Sequence, residues 1–270
     1  MSAWTGYGIA LGVLLGLGCA GWLYSLWRRN VNIVDSLWPL FLLAAAGIYA
    51  ALTPAHGPRT LLVLLLTATW ALRLSLYLAW RNRGKPEDRR YQAIRRNNEP
   101  GFTFKSLYIV FGLQAVLASI VSLALLAAVD GGTPLGVWDA LGVLLWLLGM
   151  VFQVGGDAQL AVFKADPLNR DRVLDRGFWR YTRHPNYFGE FCIWWGFYLI
   201  AIGTGGVWTV LSPLLMSVLL LKVSGVALLE RDIGERRPGY AEYVRATNAF
   251  FPGPRRTLRA QTGTAREVRE

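Results

Sequence analysis

The chain has 270 residues, is 54% hydrophobic and carries a formal net charge of +11. Soluble domains are nearer 45–50% apolar, taken roughly, and no stripe of basic residues interleaved with exposed aromatics marks a nucleic-acid surface, so nucleic acid is not an expected partner. Two His and two Cys cannot build a usual zinc site, so no metal is expected.

In chain order, apolar runs fall at 5–27, 31–52, 60–81, 105–128, 138–163, 186–203 and 206–230. A helix needs roughly 20 apolar residues to cross a bilayer. Backbone facing lipid must satisfy its own hydrogen bonds, so these runs are read as helices. The first run is read as a span and not a cleaved signal, because its charges, Arg28 and Arg29, follow it. Of the 28 Lys and Arg residues, 25 lie in the first short link, the links 81–105 and 164–185, and the tail from 231. Basic residues stay on the cytoplasmic side. The fold class is therefore all-α: a polytopic bundle of seven transmembrane helices, N-terminus outside and C-terminus cytoplasmic. Residues 1–254 form one membrane domain, and the polar segment 255–270 is expected to be a disordered tail. No internal repeat is evident, which weighs against a transporter.

Within the first run, Gly16, Gly18 and Gly21 match a dinucleotide fingerprint, but no strand precedes them. Their expected role is close helix packing. Cys19 and Cys192 lie in apolar runs and are expected to be buried thiols.

Ionisable residues inside spans are costly and are candidates for function. Here they are Asp35, Arg73, Asp157, Glu190, Lys222 and Glu230, joined by Gln114, Gln153, Gln159 and Asn186. Residues three or four apart share a helix face. This applies to Arg73 with Tyr77, Gln153 with Asp157, and Asn186 with Glu190. Apart from Gln114, these groups fall in cytoplasmic halves, which points to a polar layer opening to the cytoplasm.

Three basic and aromatic clusters border that layer. One is Gly177 to Glu190, with Arg180, Arg183, His184, Asn186 and Tyr187 around Pro185, a residue suited to the first turn of a helix. A second is the tail from Glu230 and Arg231 through Tyr240 and Tyr243 to Pro252. The third is Arg73, Tyr77, Arg83 and Lys85. Such clusters suit a polyanionic, aromatic ligand such as a dinucleotide phosphate; a lipid headgroup is the plainer alternative.

The segments RYTRHPNYFGE and ER…RPGYAEYVRATNAFFP resemble the C-terminal half of the steroid 5α-reductase family, in particular its bacterial branch. The likeness is strongest over 150–252 and weaker but ordered over 30–95. More distantly, the chain is similar to sterol C14 reductases and isoprenylcysteine carboxyl methyltransferases. The resemblance implies seven helices that bury NADPH and an apolar enone, in a bacterial inner membrane, with the cofactor side facing the cytoplasm. A lipid enone of the 3-oxo-Δ4-steroid type would enter from the bilayer. Membrane lipids would be the other partners, and a monomer is compatible with the sequence.

Residue by residue, the resemblance implies that Asn186 and Tyr187 hold the nicotinamide end, with Glu190 one turn on and Asp157 in the same layer. Arg73, Tyr77 and Arg83 match the family's helix-three arginine, tyrosine and following loop, and Arg172 matches an arginine before helix six. Arg183, His184, Arg231, Tyr240 and Tyr243 correspond to contacts with phosphate and adenine. Asp35 falls where the eukaryotic members place a carboxylate that polarises the substrate carbonyl. Trp70 departs from the pattern: it stands where those members carry a tyrosine, and an indole N–H only donates. Asp35 and Trp70 are thus the catalytic candidates. Asp35 could donate only when protonated. Burial favours that form, and a neighbouring arginine opposes it. Two rival readings stay open. One is a membrane methyltransferase using S-adenosylmethionine, which has no phosphate to occupy the basic cluster. The other is a non-catalytic lipid-binding protein.

Overall fold

The structure, a computed structural model, describes residues 2–129, 131–223 and 239–257. Among the described residues there is no strand. The helices are α1 (Ala3–Arg28), α2 (Ile33–Leu52), α3 (Pro58–Asn82), α4 (Arg89–Asn98), α5 (Phe102–Ala128), α6 (Val137–Ala165), α7 (Pro185–Ile202), α8 (Val207–Lys222) and α9 (Tyr240–Ala246). Five of them, α1, α2, α3, α5 and α6, are long and apolar enough to cross a membrane. Helix α7 has 18 residues, but Asn186 and Glu190 occupy its first turns.

The chain divides into two compact units: Met1–Leu148 with Phe191–Val218, and Gly149–Glu190 with Leu219–Glu270. In the first unit α2 packs against α1 and α3, and α1 also packs against α5. The seam is built from Phe41, Leu42, Ala45, Ala46, Val63 and Phe111, all without solvent exposure. Polar groups inside it are paired. The Tyr49 hydroxyl lies 2.7 Å from Ser122 Oγ, and Ser75 Oγ donates to the Ser36 carbonyl at 2.7 Å. Buried polar groups keep their cost low only when bonded in this way.

The outward face of α3 shows why the helices need lipid. Leu61, Leu65, Leu72 and Leu76 are spaced along one stripe and are all exposed, while Val63, Thr67, Trp70 and Ala71 face inward and are buried. Water on that apolar stripe would be costly, and contiguous exposed patches of this kind mark contact with a membrane or partner.

Small residues decide how closely the helices approach. A Cβ at Gly18 would lie 3.3 Å from the Phe111 carbonyl oxygen, and one at Gly21 would collide with Leu37 and Phe111, whereas Gly16 has open space around it. Packing therefore accounts for two of the three glycines. Cys192 is buried, but Cys19 is exposed, which corrects the expectation for that thiol. An apolar run in a membrane helix includes residues that face hydrocarbon, so apolarity does not mean burial within the protein.

The first unit also holds a buried ion pair. Arg59 Nε donates to Asp139 Oδ1 and Arg59 Nη2 to Asp139 Oδ2, both at 2.7 Å. The same guanidinium reaches the carbonyls of Thr133 (3.1 Å) and Pro134 (2.7 Å). It ties the start of α3 to the loop before α6 and to the first turn of α6.

In the second unit, the residues of α6 from Gly149 onward pack against the start of α7. Gly189 allows this, since a Cβ there would lie 2.5 Å from both Gln153 N and Gly149 O. Aromatic rings close the unit: Phe152 stands edge-on to Phe178 and Phe188, each at 5.0 Å.

Candidate functional site

Four polar side chains meet where α6 and α7 cross in the second unit. Gln153 and Asp157 lie one turn apart on α6, and Asn186 and Glu190 one turn apart on α7. Asn186 Nδ2 donates to Asp157 Oδ1 at 3.2 Å, and Gln153 Nε2 donates to Glu190 Oε2. Each helix therefore gives one amide and one carboxylate, and each amide bonds the carboxylate of the other helix. Gln153 and Asp157 are 3% exposed and Glu190 6%. Carboxylates this deep require hydrogen-bond partners. The result is a layer of alternating donors and acceptors.

The entrance to α7 is organised by the backbone. Pro185 opens the helix. His184 is buried, with its ring stacked on Tyr187 at 5.7 Å and 6° between planes. Arg183 turns toward its own chain. Its Nη1 donates to the carbonyls of Val244 (2.8 Å) and Thr247 (3.1 Å), at the C-terminal end of α9, where orphan carbonyls need donors. Tyr240 and Tyr243 are buried, with ring centroids 5.9 Å apart. The Tyr243 hydroxyl donates to the Trp179 carbonyl at 2.6 Å, and burial first, then the neighbouring Tyr240, pushes its pKa well up. These residues hold the tail against the segment before α7. Arg172 is exposed on the segment between α6 and α7. Arg231 and Glu230 lie outside the described residues.

The first unit carries the other candidates. The Arg73 guanidinium sits over the Tyr77 ring at 5.2 Å, the geometry expected from their shared face. Arg83 is exposed and caps the end of α3. Trp70 is fully buried and stands edge-on to Trp194, with centroids 5.4 Å apart.

Asp35, in the first turn of α2, is held by α4. The Tyr91 hydroxyl donates to Asp35 Oδ1 at 2.6 Å, and Arg90 Nη2 donates to Asp35 Oδ2 at 3.1 Å. Both carboxylate oxygens accept, an arrangement for the ionised form. Burial, reinforced by the Asp35 charge and hydrogen bond, drives the Tyr91 pKa well above its usual value. Burial works to lower that of Arg90, but the charges of Asp35, Tyr91 and Asp88 and the hydrogen bond to Asp88 together raise it. Tyr91 and Arg90 went unnoticed in the sequence, where they counted only as part of a charged loop. The available signal was Tyr91 and Ile94, three apart in an otherwise polar helix and able to seat it on an apolar neighbour. Tyr91 packs with Val31, Val34 and Phe111, and Ile94 against the same cluster.

These features define an all-helical integral membrane protein with a buried amide–carboxylate layer. The chain belongs to the family described as "Protein of unknown function (DUF1295)", whose model matches residues 21–247. It is similar to "Uncharacterized protein C594.04c" of Schizosaccharomyces pombe (strain 972 / ATCC 24843), with 29% identity over 282 residues, covering 90% of this chain and 79% of that one. No solved structure matches it.

Proposed function

We propose that this protein is an NADPH-dependent membrane reductase that reduces the C=C bond of an apolar conjugated enone, a lipid of the 3-oxo-Δ4-steroid type. In this reading the helices cross the membrane seven times, α7 and the segment from α8 included. The N-terminus lies outside, and the cofactor side faces the cytoplasm of a bacterial inner membrane.

The observation that carries the reading is the cross-paired layer of Gln153, Asp157, Asn186 and Glu190. A primary carboxamide, as at the nicotinamide end of the cofactor, needs an acceptor for its N–H groups and a donor for its carbonyl. A layer of amides and carboxylates supplies both, so these residues suit the group. Asn186, Glu190 and Asp157 would hold the carboxamide, with Tyr187 beside them. Arg73, Tyr77 and Arg83 are cofactor contacts by the resemblance alone. When bound, NADPH supplies the hydride.

The protein's own part is to exclude water and to hold protons. Trp70 and Trp194 make a dry apolar wall. In this reading Asp35 positions the Tyr91 hydroxyl, whose single proton bonds Asp35 here and turns from it to the carbonyl oxygen when an enone binds. A donor aimed at a carbonyl oxygen that gains charge lowers a barrier by about 3–4 kcal/mol. The DUF1295 family includes steroid 5α-reductase-like proteins, which supports the same class of reaction.

The test is thermal stabilisation of detergent-purified protein by NADPH, NADH and S-adenosylmethionine. A specific ligand at about 100 times its Kd adds about 2.7 kcal/mol of stability. Stabilisation by NADPH, followed by consumption of NADPH with a steroid enone, is expected. Stabilisation by S-adenosylmethionine alone would make the protein a methyltransferase, and stabilisation by none of the three would leave the layer a structural or lipid-binding feature.

A further inference from the structure

The end of the first unit where α1 and α3 finish and α2 and α5 begin carries a charged surface that the proposed reaction leaves largely unused. The links there are bonded to one another. Asn32 Nδ2 donates to the Pro86 carbonyl at 3.2 Å, and the Asp88 N–H donates to Asn32 Oδ1 at 2.8 Å. Residues 28–35 and 81–105 together hold ten Lys and Arg against four Asp and Glu. Three of the four acids are turned to partners within the unit. Asp35 accepts from Tyr91 and Arg90, Glu87 from Arg95 and the Val31 N–H, and Asp88 from Arg90. Those bonds engage two of the ten bases. Among the described residues of these segments Glu99 is the one exposed acid, while Arg28, Arg29, Arg83, Lys85, Arg89 and Arg96 are all exposed. The outward charge is therefore strongly positive.

Helix α4 builds part of this surface. Tyr91 and Ile94 seat it on the cluster of Val31, Val34 and Phe111, and the Arg95 guanidinium lies over the Phe102 ring at 4.4 Å. Arg89 and Arg96, seven residues apart, stand only about 20° apart around the helix axis, on the side away from Tyr91 and Ile94. Three exposed rings mark the depth of this end. They are Trp27 in the last turn of α1 (74% exposed), Trp80 in the last turn of α3 (65%) and Phe104 in the first turn of α5 (73%). Aromatic rings gather at the boundary between hydrocarbon and headgroups. The Arg28 guanidinium lies over the Trp27 ring at 5.6 Å, so the bases begin where the rings end.

We propose that this surface binds the anionic phospholipid headgroups of the membrane that the helices cross, through Arg28, Arg29, Lys85, Arg89 and Arg96. Arg83 is left to the cofactor. Clusters of about four to eight Lys and Arg, at the end of a membrane helix or on an amphipathic helix, attract anionic lipid. A soluble polyanion would meet the bases but gain nothing from the rings beneath them. A bilayer is apolar at the depth of the rings and anionic at the depth of the bases. The proposal requires only that these helices lie in a bilayer and does not depend on the reductase reading.

The experiment is native mass spectrometry of the full-length protein in detergent, titrated with phosphatidylglycerol and with phosphatidylcholine of the same acyl chains. About tenfold tighter retention of phosphatidylglycerol is expected, weakening as ionic strength rises because exposed charges are screened. Arg89→Gln with Arg96→Gln should remove most of that preference and leave the thermal response to NADPH unchanged. Arg170→Gln with Arg176→Gln, at exposed positions of the second unit, removes the same net charge and should keep the preference. Should the α4 variant fail to fold, Arg28→Gln with Lys85→Gln tests the same surface and should also lower it. Equal retention of the two lipids by the wild-type protein would overturn the proposal, as would equal losses in the two charge-matched variants. So would displacement of phosphatidylglycerol by NADPH at matched ionic strength, which would give the surface to a soluble polyanion.

Discussion

Tyr91 donates its hydroxyl to Asp35 at 2.6 Å and so joins the short helix α4 to the first turn of α2. Arg90 closes the same contact from the neighbouring position. In Tyr91→Phe the hydroxyl disappears and the ring stays. A hydrogen bond to a charged group is worth about 1.5–3 kcal/mol, so a drop of about that size in unfolding free energy in detergent is expected. If Tyr91 also serves the reaction, turnover falls further than stability explains, while NADPH-induced stabilisation persists. Unchanged turnover would remove Tyr91 from the mechanism.

The loop before α4 should make the protein acid-sensitive. Burial works to raise the pKa of Glu87, but hydrogen bonds from Arg95 and the Val31 N–H, with the Arg95 charge, hold it below its ordinary 4.5. Burial likewise works to raise the pKa of Asp88, but the Arg90 N–H, charge and side-chain hydrogen bond hold it below its ordinary 3.8. A depressed folded pKa means stability that is complete above the unfolded value and lost as pH falls through the folded one. A melting temperature that declines below about pH 4.5, with a weaker decline in Glu87→Gln, is the expected result. At the other extreme, the raised pKa of Tyr91 favours folding until pH passes about 10, after which stability falls.

Arg59 and Asp139 are 1% and 4% exposed at their side chains. Removing one partner strands the other, at a cost of about 3–5 kcal/mol. Asp139→Asn and Arg59→Met should each be strongly destabilising. The double variant Arg59→Met with Asp139→Asn should be less destabilised than the sum of the two, because the second change removes the stranded charge. Additive losses in a double-mutant cycle would show that the pair is not coupled.

Gly189→Ala tests whether the cross-paired layer depends on the close approach of α6 and α7. Its Cβ would press on Gln153 N and Gly149 O, both backbone atoms that cannot turn aside. Overpacking of this kind costs about 1–3 kcal/mol. The accompanying expectation is weaker cofactor response, since the Gln153–Glu190 bond lies beside the insertion. Gly12→Ala, at a position with open space around it, is the matched control and should be neutral.

Asn186→Ala removes the amide that bonds Asp157. Loss of most of the NADPH-induced thermal shift is expected, together with a lower melting temperature of the protein alone, because buried Asp157 loses a donor. A full shift in the variant would reject Asn186 as a cofactor contact. Asn186→Asp should be worse, because it puts a second carboxylate against Asp157.

Much of the fold could be read from the sequence because lipid imposes one rule. Every backbone polar group in hydrocarbon must be bonded within its own helix. An apolar run of about 20 residues therefore means a helix, and the expected spans at 31–52 and 60–81 lie within two residues of Ile33–Leu52 and Pro58–Asn82 at each end. Helical periodicity likewise put Arg73 with Tyr77, and Asn186 with Glu190, on single faces. Pro185 marked the start of α7 through the fixed geometry of its ring.

Contacts between helices were not legible, because they depend on rotation and approach, which local pattern leaves open. Nothing in the sequence said that Asn186 would bond Asp157 and Gln153 would bond Glu190, in place of two pairs along each helix. Nor did it say that Cys19 would face outward, that Arg183 would turn to the end of α9, or that Arg59, alone between two spans, would find Asp139. Sequence alone determined that the chain forms apolar helices and which polar residues share a face, since both follow from backbone hydrogen bonding and a period of about 3.6 residues. Tertiary structure decided which faces meet, because that depends on where glycine lets two helices close and which buried charges then find a partner.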